Sequence, residues 1–257
     1  MRSNDLVSII MHAHNSAKYA EESVRSVIEQ TYQNWELLFV DNSSNDDTLD
    51  IVSRMKSEES RIMMSLYPIV QEAPMARLSA LRHARGRWVA FMECGDLWEP
   101  NKLERQIAFM EENDYLFSYT KYKMLRKNGK GGRFVMGGKE IVTYNDMLRC
   151  CWPGYLTVMY DTDKVGMMSV RNLRKNNDYA LWLNVAEEAD CYLLDECLAK
   201  QRTPWGMLGK IVLTDKFKWR YECYRIEEGF PPLKATWYTL RNGCHGIWKW
   251  IKYVKRI

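Results

Sequence analysis

Residues 6–55 read LVSIIMHAHNSAKYAEESVRSVIEQTYQNWELLFVDNSSNDDTLDIVSRM. The stretch opens on a continuous apolar run of strand length, Leu6 to Met11. It passes through His12 to Asn15 into a segment where Ala20, Val24, Val27 and Ile28 recur on one helical face. Asn15 or Ser16 is placed to cap that helix. Trp35 to Val40 repeats the apolar run, DNSSNDDT supplies turn and cap residues, and LDIVSRM resumes a helical period. Strand then helix, twice over, predicts a mostly parallel sheet with ligands bound beyond the carboxyl ends of its strands.

The alternation continues. Arg61 to Leu66 gives a third, weaker strand, and the helix-like PMARLSALRHARG leads into Trp88 to Met92, WVAFM. Pro100 then opens a helix over NKLERQIAFMEEN. After about residue 115 the texture changes. Short strand-like pieces, YLFSYT, EIVTY and LTVMY, surround a hairpin candidate, KNGKGG, and DYALWLNVAEEA is the strong helix among them. From about Pro204 the chain reads helical and aromatic, with a break at Gly229 to Pro232 and a basic end. This divides the chain into 1–114, 115–205 and 206–257.

A chain of 257 residues with 46% hydrophobic content buries one sizeable core, which excludes disorder. The net charge of +4 is too small to argue for nucleic acid. Seven cysteines, an odd number with no CxxC pair, and no N-terminal signal predict a reducing cytoplasmic setting. The longest apolar run is far too short to span a bilayer.

Three polar constellations fall at predicted strand ends: HAHN at 12–15, DNSSNDD at 41–47 and ECGD at 93–96. In a parallel sheet they converge on one crevice, where a nucleotide is expected. Together with GRWVAFMECGDLWEPNKLERQ, NNDYALWL and DECLAKQR, they closely resemble glycosyltransferase family 2 enzymes of the GT-A fold, over roughly residues 5–205. The resemblance implies an α/β, Rossmann-like fold with a mostly parallel central sheet and a helical C-terminal extension. It also implies 1–114 as the donor half and 115–205 as the acceptor and catalytic half. Many such enzymes build bacterial surface polysaccharides.

The family reads P-x-Y-N after the first strand, V-D-D-x-S after the second and D-x-D-D after the strand corresponding to WVAFM. Asn15 and Asp41 match; His12, His14, Asn42, Glu93 and Gly95 do not. The resemblance puts His14 where an aromatic ring lies against the nucleobase. Asn42 falls where an acid accepts from a uracil-like N–H. Arg77 falls where an arginine reaches the donor phosphates, and Cys94 lies inside the donor motif. Gly95 replaces the acid that faces Mn²⁺ or Mg²⁺, which leaves Glu93 and Asp96 as metal candidates, in a weakened or shifted site. Asp178 matches the general base that deprotonates the acceptor hydroxyl for inverting attack. Arg202 matches an arginine near the end of the catalytic region, which the resemblance places in the wall of the same pocket, with Trp152 and Tyr155 on the acceptor side.

Read without the family, the same residues have plainer roles. Glu93 and Asp96 are strand-end loop acids, Asp178 is a helix N-cap, Arg202 is a solvated strand-end charge and Cys94 is a small strand-end residue. His12 and His14 have zinc-compatible spacing with no third ligand apparent. Trp152 and Tyr155, in WPGYL, form either a wall for an acceptor sugar or part of the core.

Residues 246–257, GIWKWIKYVKRI, put Ile247, Trp250, Ile251, Val254 and Ile257 on one helical face, with Lys249, Lys252, Lys255 and Arg256 largely off it. That pattern suits a lipid–water interface, or packing on the chain's own core or a second subunit. The expectation is an inverting transferase of hexosyltransferase type. It would move a sugar from a nucleoside-diphosphate sugar to a saccharide or lipid-linked acceptor at the cytoplasmic face of the plasma membrane. The alternatives are a catalytically inactive relative that binds a nucleotide or partner, and a metal-independent transferase in which Arg77 or the lysines of the second half neutralise the diphosphate. Restoring an acid at Gly95 is expected to strengthen metal-dependent binding.

Overall fold

The computed structural model describes residues 5–66, 73–125, 132, 134–170, 173, 177–202 and 213–256. The hairpin candidate KNGKGG lies outside them except for Gly132, as does Ile257. The opening stretch forms β1 (Val7–Ala13), α1 (Ala17–Ile28), β2 (Trp35–Asp41) and α2 (Thr48–Glu58). It is followed by β3 (Ile62–Leu66), α3 (Ala73–Leu81), β4 (Trp88–Glu93), β5 (Leu97–Trp98) and α4 (Lys102–Glu112). β1 pairs in parallel with both β2 and β4, and β3 extends the parallel set beyond β2. Every residue of β1 and β2 is buried, which is why both read as predominantly apolar runs.

Period-2 alternation splits the core between the two faces of the sheet. Val7, Ile9, Met11 and Ala13 pack with Ala20, Val24 and Val27 of α1, Val52 of α2 and Leu103 of α4. Ile10, Leu38, Val40, Val89 and Phe91 face the other way. They meet α3 and two later helices, α5 (Tyr144–Arg149) and α7 (Asn177–Glu188); α6 (Thr162–Val165) lies between these in sequence.

The second half extends the same sheet with antiparallel pairings. β9 (Met159–Asp161) lies between β4 and β6 (Phe117–Leu125), antiparallel to both, and β7 (Phe134–Met136) pairs beyond β6. β10 (Cys191–Arg202) runs parallel to β6, and its first residues pair with the short β8 (Ile141–Val142). Register shifts between Leu194 and Cys197, and between Cys197 and Ala199, bend β10 so that Ala199 and Lys200 pair with β5. That bend carries Arg202 to the ECGD turn.

The C-terminal region forms α8 (Leu213–Ile226) and α9 (Pro232–Tyr253), joined across the expected break at Gly229 to Pro232. The tail departs from the sequence reading in two ways. The helix ends at Tyr253, and Val254–Arg256 form β11, antiparallel to β7, so Val254 leaves the helical face assigned to it. Lys249 turns inward: its Nζ donates to the carbonyl oxygens of Cys151 and Trp152 at 3.0 and 2.5 Å. All seven cysteines are free thiols. Among the described residues no helix is long and apolar enough to cross a membrane.

Candidate functional site

Strand register assembles the site. His12 lies opposite Val40 on one side and Glu93 on the other, and Ala13 lies opposite Asp41, so the three polar constellations end at one level. The HAHN and DNSSNDD turns are then laced together. Asp41 is fully buried and accepts from the Ser44 amide at 2.8 Å and the Ser44 hydroxyl at 2.6 Å. The Asn42 amide donates to the Ala13 carbonyl at 2.9 Å. His14 is exposed, and its Nδ1 lies 2.8 Å from the Asn42 carbonyl oxygen. Because a carbonyl only accepts, Nδ1 carries the proton and Nε2 is the acceptor, 3.4 Å from the Asn15 side-chain amide. Asn15, at φ 49°, accepts from the Asn45 amide at 2.9 Å and donates its own amide to Ser44 Oγ at 2.8 Å. Asparagine tolerates that left-handed backbone better than most residues.

Asp46, not singled out from the sequence, secures this edge. It accepts from the Ala17 amide at 3.1 Å and from both the amide and the hydroxyl of Thr48, while Thr48 Oγ1 accepts from the Ser16 amide at 2.8 Å. Burial raises its pKa, but these hydrogen bonds outweigh that and hold the carboxyl below its usual range. α1 therefore has its cap supplied from the neighbouring turn. Ser16, the residue at the cap position, makes no side-chain cap bond. The only signal in the sequence is the turn chemistry of NDDT.

The ECGD turn is tied to α1 through Ser23 and to the end of β10 through Arg202. Gly95 sits at φ +119°, its amide donates to Ser23 Oγ at 2.8 Å, and its carbonyl accepts from Arg202 Nε at 2.8 Å. Ser23 Oγ donates onward to the Asp96 carbonyl at 2.9 Å. Asp96 is 5% exposed, and its Oδ1 accepts from the Arg202 amide at 2.9 Å. Burial first, and then the neighbouring Glu93 carboxylate, push the Asp96 carboxyl well above its usual range. Arg202 completes the clamp through Glu22 at 2.6 Å, with its guanidinium 4.4 Å over the Tyr19 ring. Burial drives the Cys94 thiol up to about 12, which rules out a thiolate nucleophile at neutral pH.

Glu93 points elsewhere. Its Oε1 pairs with Arg77 Nη2, and the Arg77 guanidinium lies 4.8 Å over the Tyr155 ring. Burial opposes the Arg77 charge, but Glu93, Tyr155 and Asp178 more than restore it and raise its pKa. Asp178, in the first turn of α7, is thus within electrostatic reach of Arg77, Glu93's partner. The Tyr155 ring packs on Phe91 at 5.4 Å and on Trp182 at 6.2 Å, and burial raises its hydroxyl pKa. Trp152, by contrast, is 4% exposed, donates its indole N–H to the Asp146 carbonyl at 3.2 Å and packs on Trp248 and Tyr253. Tyr155 faces the Arg77 side, while Trp152 packs in the core against α9.

Residues 8–165 match Glycosyl transferase family 2. The chain belongs to that family. It is 34% identical over 95% of its length to a putative teichuronic acid biosynthesis glycosyltransferase of Bacillus subtilis, covering 97% of that protein. It is 39% identical over 71% of its length to an Escherichia coli UDP-Glc:α-D-GlcNAc-diphosphoundecaprenol β-1,3-glucosyltransferase, covering 70% of that protein. Among solved structures, S. aureus TarS 1–349 in complex with UDP-GlcNAc superposes with a TM-score of 0.68 at 20% identity, covering 91% of this chain and 70% of that one. The fold is GT-A, and the chain is a family 2 glycosyltransferase.

Transferases of this fold commonly hold a divalent metal on the donor. The residues here do not fit one. Gly95 has no side chain, Glu93 is ion-paired with Arg77, and Asp96 is buried under the Arg202 amide. Among the described residues no three His, Cys, Asp or Glu side chains converge as a cation site. An acid at position 95 would find space, since a Cβ there meets only Tyr19 Cδ2 at 3.9 Å. It would sit on a backbone that L side chains rarely adopt. The expectation that restoring an acid at Gly95 strengthens metal-dependent binding therefore meets a backbone suited to glycine as well as a missing ligand.

Proposed function

We propose that this transferase moves a sugar, with inversion, from a nucleoside-diphosphate sugar to a hydroxyl of a lipid-linked saccharide during assembly of a cell-surface polysaccharide. The observation that carries the reading is the convergence of the three strand-end turns beside the Arg77–Glu93 ion pair, with Asp178 in the first turn of α7 within electrostatic reach of that guanidinium. Asp178 takes the proton of the acceptor hydroxyl as its oxygen bonds to the anomeric carbon. The bond from that carbon to the diphosphate oxygen breaks, and the nucleoside diphosphate leaves with the electron pair toward Arg77. His14 and Asn15 stand exposed at the donor edge, His14 presenting a flat ring to the base. In this reading 1–114 hold the donor, 115–205 supply the base and the Tyr155 wall, and 206–257 serve the acceptor side.

The named relatives are transferases, and one of them acts on a diphosphoundecaprenol-linked sugar, so a UDP-sugar and a polyprenyl-diphosphate acceptor are the first pair to try. Retention of Asp178 favours turnover over an inactive relative. Work on such an acceptor calls for a membrane contact, and α9 offers one along most of its length rather than only at 246–257. Leu233, Trp237, Leu240, Ile247 and Ile251 are 88%, 62%, 53%, 65% and 70% exposed and step along one face, with exposed Cys244 between them. No carboxylate occurs in α9, while Lys234, Arg241 and Lys252 flank the stripe and Lys255 and Arg256 follow it. An anionic lipid surface complements that face, whereas a second copy would bring only like charge.

The test is nucleotide release from UDP-sugars in the presence of a polyprenyl-diphosphate-linked monosaccharide. Asp178-dependent release with formation of a disaccharide product supports the reading. Failure to form product from any nucleotide sugar, by protein that is folded and binds nucleotide, overturns it.

A further inference from the structure

We propose that the donor diphosphate is met by the Arg77 guanidinium, held in plane by Glu93 and the Tyr155 ring, in place of a divalent ion on the ECGD turn. The inference rests on the donor reading above and assigns the charge that this reading leaves open.

The ECGD turn cannot easily be returned to cation binding. Mg²⁺ and Mn²⁺ demand oxygen donors in near-octahedral array. Recruiting Asp96 would strip the Arg202 amide of its acceptor and pull apart a turn tied through Ser23, Gly95 and Arg202. Gly95 contributes no ligand, and its φ of +119° shows that the backbone has settled into a shape suited to glycine. Glu93 is the one acid of the motif with a half-exposed side chain, and it is already engaged by Arg77.

Arg77 has what a diphosphate requires. A guanidinium carries five N–H donors in a rigid fork and keeps its charge at any working pH. Glu93 engages Nη2, Tyr155 backs the plane at 4.8 Å, and the buried Nε makes no hydrogen bond. Nε is closed off by burial, so Nη1 and the second N–H of Nη2 are the donors that remain for phosphate oxygens, in charge-assisted bonds. Glu93 acts as a positioning residue, setting the orientation of the guanidinium. It also competes with the phosphate for it, which gives Glu93 and a metal-ligating acid opposite signatures on removal.

Titrating UDP, GDP, CDP and dTDP calorimetrically into the full chain, with Mn²⁺ and again with chelator, separates the two. Binding of one nucleotide with affinities within about threefold in both conditions is expected, together with a loss of about tenfold or more in Arg77→Met. Glu93→Gln is expected to bind at least as tightly as the parent, still independently of Mn²⁺. Arg77→Lys, which keeps the charge and loses the fork, guards against a folding defect in Arg77→Met and should fall between the two. Binding that appears only with Mn²⁺ and disappears in Glu93→Gln overturns this inference and leaves the donor reading intact. Absence of binding by all four nucleotides in both conditions overturns both.

Discussion

Gly95 and Asp178 illustrate two kinds of residue-level constraint. Gly95 is held at φ +119° by bonds on both sides of its peptide, so a substituent is penalised through the backbone even though the space around it is open. Gly95→Asp is expected to lose about 1–3 kcal/mol of stability, the usual cost of such a backbone. Denaturant unfolding measures this, and a stable variant with new Mn²⁺ affinity would refute it. Asp178 is constrained by chemistry instead. Asp178→Asn is expected to lower turnover about 10²–10⁴-fold, the usual contribution of a general base, while nucleotide affinity is unchanged. Steady-state rates beside a nucleotide titration check this, and near-normal rates after that substitution would remove Asp178 from the base role. Both positions could be picked out from the sequence. The reason Gly95 matters could not, because φ is set by Ser23 and Arg202, which are distant in sequence. The pairing of Arg77 with Glu93 was hidden for the same reason: each was a donor candidate alone, and only the packing of α3 on the sheet joins them.

Elements whose burial is all on one pattern were the easiest to read. β1, β2 and β4 announce themselves because parallel strands covered on both faces are mostly apolar. β11 did not, because its pairing with β7 overrides a pattern that reads equally well as helix. α4 hides another feature of this kind. Lys102 is fully buried, donates to Gln106 Oε1 at 2.8 Å and lies 4.1 Å over the Trp98 ring. Burial lowers its pKa to about 7. The unfolded chain holds this proton up to the ordinary lysine range while the folded chain releases it near neutrality. Between those limits the unfolded state binds more protons, and stability from this group rises with pH. The burial penalty is full below about pH 7. Lys102→Met removes the penalty but orphans the Gln106 oxygen, which costs about 1–3 kcal/mol. A net gain of about 1–2 kcal/mol is expected at pH 6.5, shrinking toward pH 10. Unfolding midpoints across that range test it, and a pH-independent difference would show that Lys102 does not titrate this way.

Across the whole molecule, the sheet and its helical extension are joined through the candidate site. The strand ends gather the donor turns, the bend in β10 lays Arg202 over ECGD, and α9 is fastened by Lys249 to the carbonyls of Cys151 and Trp152. That loop continues directly to Tyr155, the ring beneath Arg77. Under the proposed reading, a membrane contact along α9 would be tied to the site through Lys249 and the 151–155 loop, an arrangement suited to an acceptor whose lipid stays in the bilayer. The sequence suggested an apolar, basic tail, but it could not show that Lys249 turns inward or that the exposed stripe begins at Leu233. Both follow from how α9 docks. The full chain is expected to float with vesicles containing phosphatidylglycerol and not with phosphatidylcholine alone. Lys252→Ala and Arg256→Ala should each weaken that binding by about 1 kcal/mol, and high salt should weaken it further. Leu240→Glu with Ile247→Glu should abolish flotation while nucleotide affinity holds, because both side chains point away from the core. Should the chain instead ignore anionic vesicles and form a concentration-dependent dimer that the same double variant dissolves, the stripe belongs to a second copy. The lipid-linked acceptor would then have to reach the site without α9.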